Sequence, residues 1–240
     1  MKTPKAFLVI FISAFMLAGC TTAPVVKTTK PRPGTVRKIP ETQPGHTVKK
    51  TENKSTAADS VDSKLIDRLL ENARWVQNCK TLSVNGRRYN MDCSGVICAI
   101  YARAGIDLTK EYSRYTGGGV QRIHKYLSSK GLIYQTEKPV PGDLIFWDDT
   151  WDANKNRKDD DELTHIGMVV SCDDRTGNIV YVHYNSYYNK ITMEKMNLLR
   201  PNDSRCNSVM RARGLPKVNG YKYLSGQLCR DIGKGYLLKN

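Results

Sequence analysis

Apolar and polar positions change period once along the chain, and the change separates a helical part from a strand-like part. Val61, Leu65, Leu69, Leu70, Ala73 and Val76 recur near helical spacing, which predicts an amphipathic helix over 61–77. Asp92 through Ala104 reads as a second helix, with Asp92 as cap, Val96, Ile97, Ile100 and Tyr101 as its buried stripe, and Gly105 as its stop. Val120, Ile123 and Leu127 mark a third, closing before Gly131. From there the period shortens. Pro141-Gly142 signals a turn, Asp143 to Trp147 a strand, His165 to Cys172 a second strand, and Ile179 to Asn185 a third, with turn formers between Asp173 and Asn178. Helices first and strands later predict an α+β domain, its antiparallel sheet packed on one helical face.

The first sixty residues follow neither period. Lys2 and Lys5 precede an apolar stretch from Ala6 to Leu17, too short to span a bilayer comfortably, and small residues follow it, as in an export signal. Leu17-Ala18-Gly19-Cys20 resembles the lipobox of bacterial lipoproteins. That resemblance implies a signal peptide over 1–19, cleavage before Cys20, and acylation of Cys20 as a membrane anchor. An ordinary signal peptide that contains a cysteine is the alternative. Thr21 in place of aspartate resembles lipoproteins sorted to the outer membrane, which would face the periplasm in a Gram-negative cell. Residues 21–60 are rich in Thr, Lys, Pro and Ser and hold too few large apolar side chains to fold. About forty such residues have an end-to-end distance of roughly 35 Å. They form either a leash for a catalytic head over 61–240 or a passive spacer.

Composition and charge narrow the partners. Hydrophobic residues make up 40% and charged residues 25%, enough for a folded core, and the net charge is +15. That suggests an anionic partner, with plain solvated surface charge as the alternative. Nucleic acid is excluded by the export signal and by the lack of a recognised nucleic-acid signature. Carboxylate-rich cell-wall polymer or anionic lipid headgroups fit that compartment, and the chain reads as a monomer. Of seven cysteines, setting aside Cys20 and Cys93 leaves Cys79, Cys98, Cys172, Cys206 and Cys229, an odd number, so at least one is unpaired within the monomer. Their spacing offers no zinc site, and no cofactor is required.

Cys93 opens the second helix, where unpaired N–H groups and the positive dipole end favour a thiolate and can receive an oxyanion. His165 and His183 fall in adjacent strands. If the turn between them has matching parity they share a face, roughly 5 to 8 Å apart, and one imidazole can orient the other; a one-residue slip would separate them. His46 lies in the basic tract, and His124 sits mid-helix beside Arg122 and Lys125.

Asp92-Cys93-Ser94-Gly95, Pro141-Gly142-Asp143-Leu144, Thr164-His165-Ile166-Gly167 and Val182-His183, in that order and spacing, resemble the NlpC/P60 cysteine peptidases over about residues 65–200. The resemblance implies a papain-like fold that cuts the γ-D-glutamyl bond to a diamino acid in peptidoglycan stem peptides. Cys93 would be nucleophile, His165 base and His183 the polar third member. Relatives carry Tyr-x-x-Gly-Gly upstream of the cysteine; here Tyr89 is the nearest substitute. With Ser94 it is a candidate substrate contact. Asp92 is either a helix cap or a contact to a substrate amine, and Asp143 fixes the turn. An amidase or acyltransferase on the same thiol, or a non-catalytic wall-binding lipoprotein, are the alternatives.

Between the second and third motifs, Asp152, Asn154, Asn156 and Asp160 take positions one, three, five and nine of a candidate calcium loop. Arg157 stands where such loops need glycine, and Leu163 where they need glutamate. An acidic surface loop, its charge offset by neighbouring lysines and arginine, is the favoured reading.

Overall fold

The computed structural model describes residues 62–211 and 220–239. The export signal, Cys20 and the basic tract lie outside the described residues. Helix α1 spans Ser63–Val76, capped by the Asp62 carboxylate, and buries Leu69, Ala73 and Val76. A hairpin follows, β1 (Leu82–Val84) and β2 (Arg87–Tyr89), around Asn85-Gly86, both left-handed at φ 51° and 78°. That two-residue turn matches the twist of the flanking strands. Helix α2 (Cys93–Arg103) is buried along most of its length, and α3 spans Gly119–Ser129. The later strands are β3 (Ile133–Tyr134), β4 (Leu144–Trp147), β5 (His165–Cys172), β6 (Asn178–Asn185) and β7 (Lys190–Asn197). A short helix, α4 (Ser225–Leu228), leads into β8 (Cys229–Gly233).

Among the described residues β3 to β8 form one antiparallel sheet, in the order β3-β8-β4-β5-β6-β7. The expected α+β arrangement is present, with one difference. The helices cover only one face, where Leu144, Phe146, Ile166, Met168 and Val182 meet the buried residues of α1, α2 and α3. The opposite face is buried too: Ile145, Trp147, Val169, Ile179, Tyr181 and Met196 form a second cluster with Leu228 and Ile232. Leu198 and Met210 pack against that cluster, and the Trp147 indole N–H donates to the Ser225 carbonyl at 2.8 Å. Burial on both faces is why β4 reads as an unbroken apolar run, Leu-Ile-Phe-Trp, without alternation.

Strand β8 inserts between β3 and β4 from far along the chain. Its Cys-Arg-Asp-Ile-Gly carries no strand-like pattern because Asp231 faces α3, where its carboxylate meets His124 Nε2 at 2.7 Å. That bond assigns His124 a structural place.

Candidate active site

Helix α2 begins at Cys93 because Asp92 holds an extended conformation (φ −139°, ψ 176°) and caps it. One oxygen, Asp92 Oδ1, accepts from the Gly95 N–H at 2.7 Å and from the Ser94 hydroxyl at 3.0 Å. The cap role of Asp92 is therefore realised. Gly95 is needed for another reason: a Cβ there would lie 2.1 Å from the Asn90 carbonyl oxygen. The segment entering the helix is thus pressed onto its first turn, which fixes where the sulfur sits.

The backbone N–H groups of Ser94, of Ile166 and of Cys93 itself are directed at the Cys93 sulfur and favour its thiolate. They do not prevail. Burial, with the Asp92 carboxylate adding to it, pushes the thiol up to about 11. The expectation that the helix start lowers this value is overturned: desolvation of a sulfur wedged between α2 and β5 exceeds what three amides return.

Ile166 is the residue after His165, so the sulfur lies one residue from the base along β5. No hydrogen bond joins it to an imidazole among the described contacts, a separation common in unliganded sites. The two imidazoles do meet. His165 Nε2 and His183 Nδ1 are 2.8 Å apart with the rings edge to face. His165 is 8% exposed and His183 2%. Burial, then the neighbouring His183, drives His165 well below the ordinary histidine value, so it rests as a neutral base. Trp147 backs the pair, its ring 5.6 Å from His165 and 5.1 Å from Tyr181.

Tyr89, Asp92 and Ser94 line one pocket of about 160 Å³ beside the helix start, with Arg87, Arg88 and Tyr112. It is large enough for a side chain or a chain end, not for a whole stem peptide. The Arg87 guanidinium lies 5.1 Å over the Tyr89 ring.

The model described as NlpC/P60 family matches residues 79–205, more than half of the 240-residue chain. The chain belongs to the NlpC/P60 family. No curated protein matches it. NlpC/P60 proteins are in general cysteine peptidases that act on the bacterial cell wall, and their substrate is peptidoglycan. Helix α1 and strand β8 lie outside the matched residues, yet Leu69 and Ala73 join the main core and β8 the sheet.

Among the other residues singled out, Asp152, Asn154, Asn156 and Asp160 do gather in one loop of this NlpC/P60 domain. Their oxygens serve the loop itself: Asp152 accepts from the Asn156 and Arg157 backbone N–H groups, and Asp160 from the Asn154 and Asn156 side-chain amides. Arg157 takes the left-handed conformation expected of glycine, at φ 64°, and Leu163 at the twelfth position is buried. Besides Lys158 within the loop, arginines from outside it also meet the acidic charge. Arg211, 2% exposed, binds Asp159 at 2.6 Å, and Arg230 reaches Asp148 at 3.0 Å and Glu162 at 3.2 Å. These ties anchor the segment that runs straight into His165. The cysteines Cys79, Cys93, Cys98, Cys172, Cys206 and Cys229 are all free.

Glu194 on β7 is the residue that sequence reasoning missed. Its Oε1 lies 3.4 Å from His183 Nε2 and accepts from the Asn185 amide at 2.8 Å, while Oε2 accepts from the Tyr181 hydroxyl at 3.3 Å. Its neighbours in the chain give no signal, since with Lys190 and Thr192 it takes an ordinary polar position of an alternating strand.

Proposed function

We propose that this NlpC/P60 domain is an endopeptidase that cleaves the γ-D-glutamyl bond to the diamino acid in peptidoglycan stem peptides, with Cys93 as nucleophile and His165 as base. The observation that carries the reading is the 2.8 Å His165–His183 pair, one residue along β5 from the amide that faces the Cys93 sulfur. Thiol and imidazole both rest neutral, so the proton moves as substrate reacts. His165 takes the Cys93 proton while the sulfur bonds to the amide carbonyl carbon, and the carbonyl oxygen becomes an oxyanion facing the N–H groups at the start of α2. His165, now imidazolium, gives that proton to the leaving amine as the C–N bond breaks, leaving a thioester on Cys93. Water, deprotonated by His165, attacks the thioester; the sulfur leaves, is reprotonated by His165, and the acid product departs.

Asp92, Ser94 and Tyr89 would hold the substrate on the pocket side of the thiol. The proposal includes export and tethering: a diacylglyceryl or palmitoyl group on Cys20 that anchors the chain to the outer membrane, facing the periplasm. Mass spectrometry of the mature protein tests that part, and an unmodified Cys20 refutes it.

The catalytic claim is tested by digesting purified muropeptides and reading the products by mass spectrometry. Truncated stems from the wild-type protein and none from Cys93→Ala are expected. Free, whole stem peptides would show an amidase instead, and cleavage that survives Cys93→Ala would end the thiol assignment.

A further inference from the structure

We infer that Glu194 is a fourth, positioning member of the site, which sets the proton arrangement of both histidines so that the His165 nitrogen available to the thiol is the unprotonated one. The inference rests on the proposed roles of Cys93 and His165. A neutral imidazole carries one proton and must present a donor at one nitrogen and an acceptor at the other. His183 is buried, and its Nε2 makes no hydrogen bond of good geometry; the charge nearest to it is Glu194 Oε1, at 3.4 Å. A carboxylate there requires a proton on Nε2. His183 Nδ1 is then a bare acceptor, and its 2.8 Å contact with His165 Nε2 can be made only if His165 donates. That places the His165 proton on Nε2 and leaves Nδ1 with its lone pair. The chain of bonds therefore runs in one direction, from His165 through His183 to Glu194.

Three features keep Glu194 anionic and aimed. Strand register sets it opposite Tyr181 and diagonal to His183, since Tyr181 pairs with Glu194 and His183 with Thr192. The Asn185 amide and Tyr181 hydroxyl donate to its two oxygens. Burial alone would raise its value, but the nearby His183 ring, with the bonds from Asn185 and Tyr181, outweighs burial and holds it below the ordinary glutamate range. The titratable groups in contact with the pair are His165 on β5 and Tyr181 on β6. When His165 becomes imidazolium during attack, the Glu194 charge stabilises it through His183. No proton passes to Glu194; it acts by position and charge, as the acidic member of a nucleophile–base–orienter set does.

Glu194→Gln and Glu194→Ala, assayed on muropeptides beside wild type and Cys93→Ala, test this. Expected is a fall of about tenfold or more in kcat at unchanged KM, part of what general acid–base catalysis supplies. The acid limb of the kcat/KM profile should move to lower pH, because a lost neighbouring anion makes His165 less basic. Wild-type kcat and an unmoved limb in both variants, with Cys93→Ala dead, would overturn the role of Glu194 alone. Activity in Cys93→Ala would overturn the thiol reading instead. Nitrogen NMR of the wild-type protein is independent of any folding defect in the variants: a His183 proton on Nε2 is expected, and one on Nδ1 refutes the inference.

Discussion

His165 and His183 share a face of the sheet only because β5 carries one extra residue at Val170. Nearer the turn, Ser171 pairs with Val180 and Cys172 with Ile179; beyond the bulge, Val169 pairs with Tyr181 and Met168 with Val182. Continued unchanged from the turn, the first register would set His183 against Met168 and so on the face opposite His165. The shift sets it against Gly167, diagonal to His165, within the observed 2.8 Å. A bulge beside a functional side chain re-aims it in this way.

The pair should be worth a measurable share of activity. His183→Ala removes the acceptor for a buried His165 Nε2–H, and an orphaned buried donor costs about 1–3 kcal/mol. A loss of roughly tenfold to a hundredfold in kcat/KM is expected. His183→Asn, which keeps an acceptor, should recover much of it. Equal activities in the two variants would remove the orienting role.

The parity of the histidines shows what a sequence can and cannot disclose. His165 to Cys172 is legible as a strand to the residue, because a short apolar run with flanking turn formers defines it. Whether its first residue faces His183 depends on the bulge, and no turn former marks Val170. The Asn85-Gly86 hairpin has a legible signal, since Asn-Gly favours a two-residue turn between short strands. Strand β8 had none, since Asp231 and Arg230 are there for partners on α3 and in the acidic loop. Glu194 was equally hidden: its meaning depends on a strand pairing, not on its neighbours in the chain.

Without substrate, Cys93 should behave as a neutral thiol. Burial pushes Cys93 up to about 11 and His165 below the ordinary histidine value, so neither is charged at neutral pH without substrate. The rate of Cys93 alkylation by iodoacetamide, followed by mass spectrometry, should be slow at pH 7 and still climbing above pH 9. A plateau below neutrality would mean a preformed thiolate–imidazolium pair and contradict this electrostatic balance.

Asp143 should make the fold more stable in mild acid. It is fully buried; Oδ2 accepts from the Tyr134 hydroxyl at 2.5 Å and the Val140 N–H at 2.7 Å, while Oδ1 has no partner. Burial raises it from 3.8 to about 6, even against these bonds and nearby Lys234. A carboxyl raised on folding stabilises the folded state most below its unfolded value, and that contribution is lost as pH rises through about 6. A rise of that size corresponds to about 3 kcal/mol. Between pH 7 and pH 5 the urea midpoint of the wild type should rise relative to that of Asp143→Asn. Parallel midpoints across that range would show that Asp143 is not the buried charge described.

Two glycine substitutions on the same helix should separate catalytic geometry from backbone preference. At Gly95 a new Cβ meets the Asn90 carbonyl oxygen at 2.1 Å and its carbon at 2.9 Å, both backbone atoms that cannot rotate aside. Gly95→Ala must therefore move either residues 90–92 or the first turn of α2, and both carry Cys93 with them. Overpacking of this kind costs about 1–3 kcal/mol, and cleavage should fall further than stability does. At Gly105, just past the other end of α2, a Cβ meets nothing within 4 Å. Gly105→Ala faces only its left-handed conformation, φ 91°, at about 1–2 kcal/mol. Thermal melts of the two variants should thus be similar, while muropeptide cleavage is retained at Gly105→Ala and lost at Gly95→Ala. Loss in both, or in neither, would mean that the packing of Asn90 on Gly95 does not set the position of the sulfur.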